Sequence, residues 1–287
     1  MNLVLRFLET TRLYLLIFTL PPAILWFSTT PAADAAVPSA FVATIIILAH
    51  SLLILLHATS FDVLTLRAGA TPRLALSANP ESWNLDNAER LRVVYALLLG
   101  VCILLLLVTS ITAAAAVAVA GILVGLLTGG INDETRRWRM MFSEVLWPGL
   151  MLLTPMIILG WMYSGISEQA LAITAPATGV AAVALAAYVL LCLIRDQSID
   201  AGDRLPTTAT LLGRAGVTTI LFVLLCLAIV LTSRGVGWEW WHWPTASITG
   251  IGALAVFWCV SSGSEDSAPA LWTLGSALVG FTMLMEL

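Results

Sequence analysis

The feature that most constrains this chain is a succession of apolar runs, each long enough to cross a bilayer, separated by short polar breaks. About 20 mostly apolar residues span roughly 30 Å of hydrocarbon. By that ruler nine segments qualify, near residues 12–28, 38–61, 90–108, 110–127, 144–163, 170–194, 214–233, 245–262 and 268–286. Inside hydrocarbon every backbone N–H and C=O must find its partner within the segment, so each run is expected to be a helix. The predicted fold class is therefore all-α integral membrane, with nine transmembrane helices in a single bundle forming one domain over 1–287. Composition agrees, with 60% of residues hydrophobic and only 10% charged, far from the balance of a soluble domain. A net charge of −4 offers no basic face for nucleic acid, and none is expected as a partner. The four cysteines sit inside apolar runs without the paired spacings of a zinc site or a disulfide framework. Pro21-Pro22 in the first run, with many runs behind it, argues against a cleaved signal peptide there.

The third and fourth runs are divided only by Thr109, Ser110 and Thr112. Together they are too long for one crossing, so a tight helical hairpin is expected. Orientation follows from the basic residues, which are all arginine and are enriched on the cytoplasmic side of span ends. Twelve of the thirteen fall on one face, and only Arg234 falls on the other, beside the aromatic run Trp238, Trp240, Trp241 and Trp243. A multi-pass protein of the cell membrane with a cytoplasmic N-terminus is expected. The long polar connections, 57–90, 128–144 and 195–214, collect on that same arginine-rich face. A transporter places ionisable groups near mid-span. Here the acids stand at span ends, which argues instead for a membrane-embedded pocket opening to one side.

The densest ionisable cluster runs from Arg195 through Asp196, Asp200 and Asp203 to Arg204. The three acids share one helical face as long as the helix continues. Stacked carboxylates suit a hard cation such as Mg²⁺ that keeps waters and shares its shell with a phosphate, although a solvated helix end flanked by arginines accounts for the spacing equally well. Asp62 occupies the matching place at the end of the second run, so that the chain reads as a weak four-helix repeat. His57 and Thr59 precede it, and Arg67 and Arg73 follow it. His57 reads more readily as a hydrogen-bonded structural residue, and His50, deeper in the run, as a helix–helix contact. The third loop offers Arg136, Arg137 and Arg139, candidates for gripping a diphosphate and equally for meeting anionic lipid. Glu144 opens the fifth run, as a first-turn acid or as a member of the pocket.

These residues resemble the UbiA-type membrane prenyltransferase superfamily, most closely its 1,4-dihydroxy-2-naphthoate prenyltransferase branch. Arg195, Asp196 and Asp200, followed by Thr207 and Leu212-Gly213-Arg214, fall on that family's second aspartate motif without a gap. Arg12 with Pro22 is similar to its first helix, and Thr128-Gly129-Gly130 with Glu144 to its central loop. The first motif departs: where the family has Asn-Asp-x-x-Asp, this chain aligns Ala58, Thr59 and Asp62. The asparagines that precede the second motif in the quinone branch are Cys192 and Leu193 here, and Arg204 replaces the usual glycine.

The resemblance implies a Mg²⁺-dependent enzyme that transfers an isoprenyl group from an isoprenyl diphosphate to an aromatic or other electron-rich lipophilic acceptor. Asp62, Asp196 and Asp200 would be the catalytic, metal-holding acids. Arg67, Arg73, Arg136, Arg137, Arg139 and Arg195 would bind the diphosphate, with His57, Thr59, Asp203 and Glu144 as further pocket candidates. Two alternatives remain open on sequence: a terpene cyclase of the same superfamily, which needs no acceptor, and a non-catalytic lipid-binding membrane protein.

Overall fold

The computed structural model describes residues 7–8, 10–29, 40–67, 84–128, 168–202, 207–237 and 243–285. Over these residues the chain is helical, without a strand. A 3₁₀ turn, Leu13–Leu15, leads into α1 (Leu16–Thr29), followed by α2 (Ala40–Arg67), α3 (Leu85–Thr109), α4 (Ile111–Thr128), α5 (Glu168–Gly202), α6 (Thr208–Gly237), α7 (Trp243–Ser261) and α8 (Ala268–Met285). Six of the described helices, α2, α3, α5, α6, α7 and α8, are long and apolar enough to cross a membrane, and the apolar stretch Leu13–Leu25 is shorter. The chain is thus an all-α, multi-pass membrane protein. The expected span at 144–163 lies outside the described residues.

The expected hairpin is present. Ser110 alone separates α3 from α4 and has an extended backbone, φ −158° and ψ 99°. Its hydroxyl accepts the Ala113 N–H at 3.4 Å, which caps α4. Asn84 does the same for α3, accepting the Asn87 N–H at 2.9 Å. α5 runs on to Gly202, well past the expected span end at 194, and α6 starts at Thr208, before the expected 214. Hydropathy registers where a helix leaves hydrocarbon; hydrogen bonding carries it further. Thr207 and Thr210 cap α6 reciprocally: the Thr207 hydroxyl accepts the Thr210 N–H at 3.0 Å, and the Thr210 hydroxyl accepts the Thr207 N–H at 2.8 Å.

Two groups of helices share the bundle. α2 packs on α3 and α4, while α5, α6, α7 and α8 pack in succession, and α1 touches α2, α5 and α8. α5 is the central element: 83% of its span is buried, against 22% for α3 and 28% for α6. Helices have little hydrophobic reason to associate in lipid, so close backbone approach and internal polar bonds matter more. Trp272 of α8 donates its indole N–H to the Ala184 carbonyl of α5 at 2.8 Å, and Thr245 of α7 donates to the Thr282 hydroxyl of α8 at 2.9 Å.

α8 also meets α1 where only glycine fits, since a Cβ on Gly280 would lie 2.6 Å from Pro21 Cγ. Pro21 has a rigid ring and cannot swing aside. Gly280→Ala is therefore expected to push α1 from α8 and cost about 1–3 kcal/mol, as overpacking does. Gly250→Ala, where a Cβ meets nothing within 4 Å, is expected to be neutral or slightly stabilising. Thermal unfolding of the two variants in detergent checks the difference.

Candidate anion site at one end of the bundle

The hairpin formed by α1 and α2 brings Arg12 and Asp62, 50 residues apart, to one end of the bundle, where Arg12 Nε donates to Asp62 Oδ2 at 2.9 Å. Both side chains are only 1% exposed. Arg12 Nη1 also donates to the Tyr14 hydroxyl at 2.8 Å. The backbone at Arg12 is left-handed, φ 59° and ψ 13°, a conformation that costs a non-glycine residue about 1 kcal/mol or more. The turn aims the guanidinium inward, and its bonds to Asp62 and Tyr14 offset the strain. Tyr95 of α3, itself buried, fixes the same turn by donating to the Thr11 carbonyl at 2.6 Å.

A second pair stands at the matching end of α5. Arg195 donates to both carboxylate oxygens of Asp196, through Nε at 2.7 Å and Nη2 at 2.9 Å, and both residues are buried. Such a two-point grip fixes orientation as well as charge. The pairs converge on shared neighbours. On α5, Cys192 precedes Arg195 by about one turn and Tyr188 precedes Cys192 by another. The Tyr188 ring lies 6.0 Å from that of Tyr14 and 5.4 Å from that of Phe18. Phe18 in turn reaches an apolar cavity of about 40 Å³, lined among others by Pro22, Ala184, Gly252, Trp272 and Gly280. Ala184 precedes Asp196 by about 18 Å along α5. Charge at the end of the bundle thus grades through two tyrosines and a phenylalanine into an apolar interior.

The other candidate residues are distributed unevenly. Asp200 lies in the last turn of α5. Thr59 is buried, and its hydroxyl donates to the Leu55 carbonyl of its own helix at 2.8 Å. His57 stands on α2 five positions before Asp62. Arg67 is exposed and donates to Glu89 of α3 at 2.6 and 3.1 Å, which ties α2 to α3. Arg214 is likewise exposed and pairs with Glu265 ahead of α8. The preceding Gly213, with φ 68° and ψ 170°, has a backbone that only glycine adopts readily. Gln197 joins α5 to α6, donating to the Ala209 carbonyl at 3.0 Å. Arg73, Arg136, Arg137, Arg139, Asp203 and Glu144 lie outside the described residues.

Among the described residues no three His, Cys, Asp or Glu side chains gather to hold a metal ion. The donor chemistry distinguishes the two walls. Asp196 accepts two bonds and retains acceptor capacity, since a carboxylate offers about four lone-pair sites, and Asp200 follows one turn later on α5. On α2, Asp62 is already compensated by a buried guanidinium, and no second acid stands in the first motif. Compared with protein-family models, with curated proteins and with solved structures, the chain matches none.

The roles of Arg12, Tyr14 and Tyr188 were missed in the sequence reading. Arg12 did carry a signal, as a lone charge opening an apolar run and facing, across one hairpin, a lone acid at the end of the next. Removing it strands a buried carboxylate. Arg12→Ala is expected to cost roughly 3–5 kcal/mol, against 1 kcal/mol or less for Arg67→Ala at its exposed pair. Equal losses of thermal stability in the two variants would contradict this assignment of the burial.

Proposed function

We propose that the chain is an intramembrane prenyltransferase that takes an isoprenyl diphosphate as donor and an aromatic or other electron-rich lipophilic molecule as acceptor. The observation that carries this reading is the pair of buried arginine–aspartate contacts at one end of the bundle, above an aromatic ladder that leads into apolar space. An anionic head and a long apolar tail match that gradient. Arg195 and Arg12 bind and orient the diphosphate head, and the apolar walls around Phe18 and Trp272 exclude water from the reacting carbon. Asp196 and Asp200 are the residues that would hold Mg²⁺, which supplies charge neutralisation to the departing diphosphate. The allylic carbon–oxygen bond breaks, with its electron pair leaving on the diphosphate. A carbon–carbon bond then forms to the acceptor, whose ring proton is lost to water at the open end. The cavity of about 40 Å³ holds only about three waters by the same measure, so a tail enters by displacing side chains.

A second reading is favoured by the cavity's lining. Among the described lining residues Thr249 and Ser276 are the ones with hydroxyl groups, and the Thr249 hydroxyl donates to its own helix at Thr245, leaving little to orient a polar acceptor. In a terpene cyclase the chain's own double bond captures the cation. Diphosphate release from purified protein, Mg²⁺ and prenyl diphosphates of several lengths separates the readings. Release that needs an acceptor supports transfer, release alone with a cyclic product supports cyclisation, and no release under any condition contradicts both. Asp196→Asn and Asp200→Asn are each expected to reduce release by roughly a hundredfold or more, because an amide cannot replace an anionic ligand of a hard cation; Asp203→Asn should be milder.

The full topology belongs to the same proposal. α4 returns to the end of the bundle that holds Arg12 and Asp62, and α5 arrives at that end with Asp196. On this proposal the apolar run 144–163, which lies outside the described residues, would be the crossing between them, giving nine. Twelve of the thirteen arginines then lie on one side, the cytoplasmic one. Single cysteines at positions 67, 136 and 204, on a cysteine-free background, should label from the cytoplasm and those at 34, 168 and 240 from the opposite side. Labelling of 136 and 168 from the same side would overturn nine crossings.

A further inference from the structure

We infer that the apolar cavity beside α1 and α8 binds an uncharged lipophilic alcohol, whose hydroxyl donates to a backbone carbonyl of the Ile17–Phe18 pair and accepts from Ser276. The inference goes beyond the prenyl diphosphate reading and does not depend on it. Two consecutive prolines inside α1, Pro21 and Pro22, are its first support. A helical carbonyl accepts from the N–H four residues on, or three residues on in a tightened turn, and proline has no N–H. The Ile17 carbonyl thus loses its regular donor at Pro21, and the Phe18 carbonyl loses both, at Pro22 and at Pro21. Within hydrocarbon such carbonyls are met by a neighbouring helix, a Ser or Thr side chain or an ordered water. No described side chain donates to either one. Both residues line the cavity, and the Ile17 carbonyl oxygen faces α8, 3.8 Å from where a Cβ on Gly280 would stand.

Ser276 is the second support. It lines the same cavity one turn before Gly280, and its hydroxyl has no hydrogen-bond partner among the described residues. α1 and α8 both set out from the end of the bundle that holds the arginine–aspartate pairs, since Gln197 ties the end of α5 to the start of α6 and Arg214 ties that start to Glu265 ahead of α8. One turn before Gly280 on α8 is therefore level with one turn before Pro21 on α1, which puts Ser276 beside Ile17. The described wall offers acceptors, one donor and no charge. A carboxylate would face carbonyl oxygens, an ammonium would lack a counter-ion, and an ether would leave the carbonyls unmet. A hydroxyl is donor and acceptor at once and satisfies both sides. Val180, Ala184, Trp272, Val279 and Met283 supply apolar contacts for the adjoining hydrocarbon. Ile17, Pro21, Gly275 and Ser276 are only partly buried, so a chain too long for a cavity of about 40 Å³ runs out along the seam between α1 and α8.

Native mass spectrometry of the full-length protein in detergent tests this, with dodecanol against its methyl ether, which keeps the chain and loses the donor. The readout is the ratio of alcohol to ether affinity, because a change in cavity volume acts on both ligands. The wild type is expected to prefer the alcohol by about tenfold, as two net hydrogen bonds would give. Ser276→Ala, which removes the donor, and Pro21→Ala, which restores an N–H for the freed carbonyls, should each lower the ratio by about threefold, and the double variant should bring it close to one. Gly252→Val, which adds bulk to the apolar lining, should weaken both ligands at an unchanged ratio. Binding of neither ligand by the wild type, a ratio near one, or a ratio that both Ser276→Ala and Pro21→Ala leave unchanged in monodisperse protein overturns the inference and assigns these polar groups to water. None of these outcomes alters diphosphate release, so the prenyl diphosphate reading stands or falls separately.

Discussion

A guanidinium and a carboxylate 2.9 Å apart, both almost completely out of reach of solvent, set the terms for the N-terminal part of this bundle. Neither group would be stable there alone. Desolvating a single charge costs several kcal/mol, and the helices around it offer few other polar groups. The pair therefore acts as a two-sided constraint. It holds the turn before α1 against the end of α2, and because α1 also packs on α5 and α8, it fixes how the two helix groups meet. Small residues and the Trp272 bond to Ala184 then complete contacts that the hydrophobic effect does not drive within lipid.

The same constraint shapes the chemistry open to the site. Arg12–Asp62 and Arg195–Asp196 are each nearly neutral as pairs, so neither buried charge stands uncompensated. Each pair can still meet an anion or a cation through its outer face. The two differ in kind, one bridging two segments and the other lying within a single helix. An anionic head between them would contact a rigid cation on one side and an acid-bearing helix end on the other. Tyr14, Tyr188 and Phe18 carry the polarity gradient inward to a cavity with a mostly apolar lining.

How much of this was legible in the sequence depended on range. Helical class, multiple crossings and the break at Ser110 follow from local apolar runs and one polar interruption, and the structure has them. The acids at the ends of α2 and α5 were visible as the densest charges near span ends. Their partners were less visible. Arg195 adjoins Asp196, but the Arg12 bond spans 50 residues and depends on how a hairpin closes. Tyr14 and Tyr188 were hidden for another reason. In helices apolar on every face there is no periodic contrast between the buried side and the lipid side, so a central tyrosine reads like any other residue of the run. Arg67 follows Asp62 in sequence, yet its observed partner is Glu89 of the next helix, which a reading by proximity does not reveal.

The central claim is that the two arginines at this end of the bundle hold the anionic head of a prenyl diphosphate. Calorimetric titration of a prenyl thiodiphosphate into wild type and Arg195→Gln protein in detergent tests it most directly, with the corresponding prenyl alcohol as the uncharged reference. The account predicts binding of the analogue by the wild type, a loss of at least tenfold in affinity in the variant, and weak binding of the alcohol that the substitution leaves unchanged. Equal affinity of both proteins for the analogue, or equal affinity of the wild type for analogue and alcohol, would contradict it.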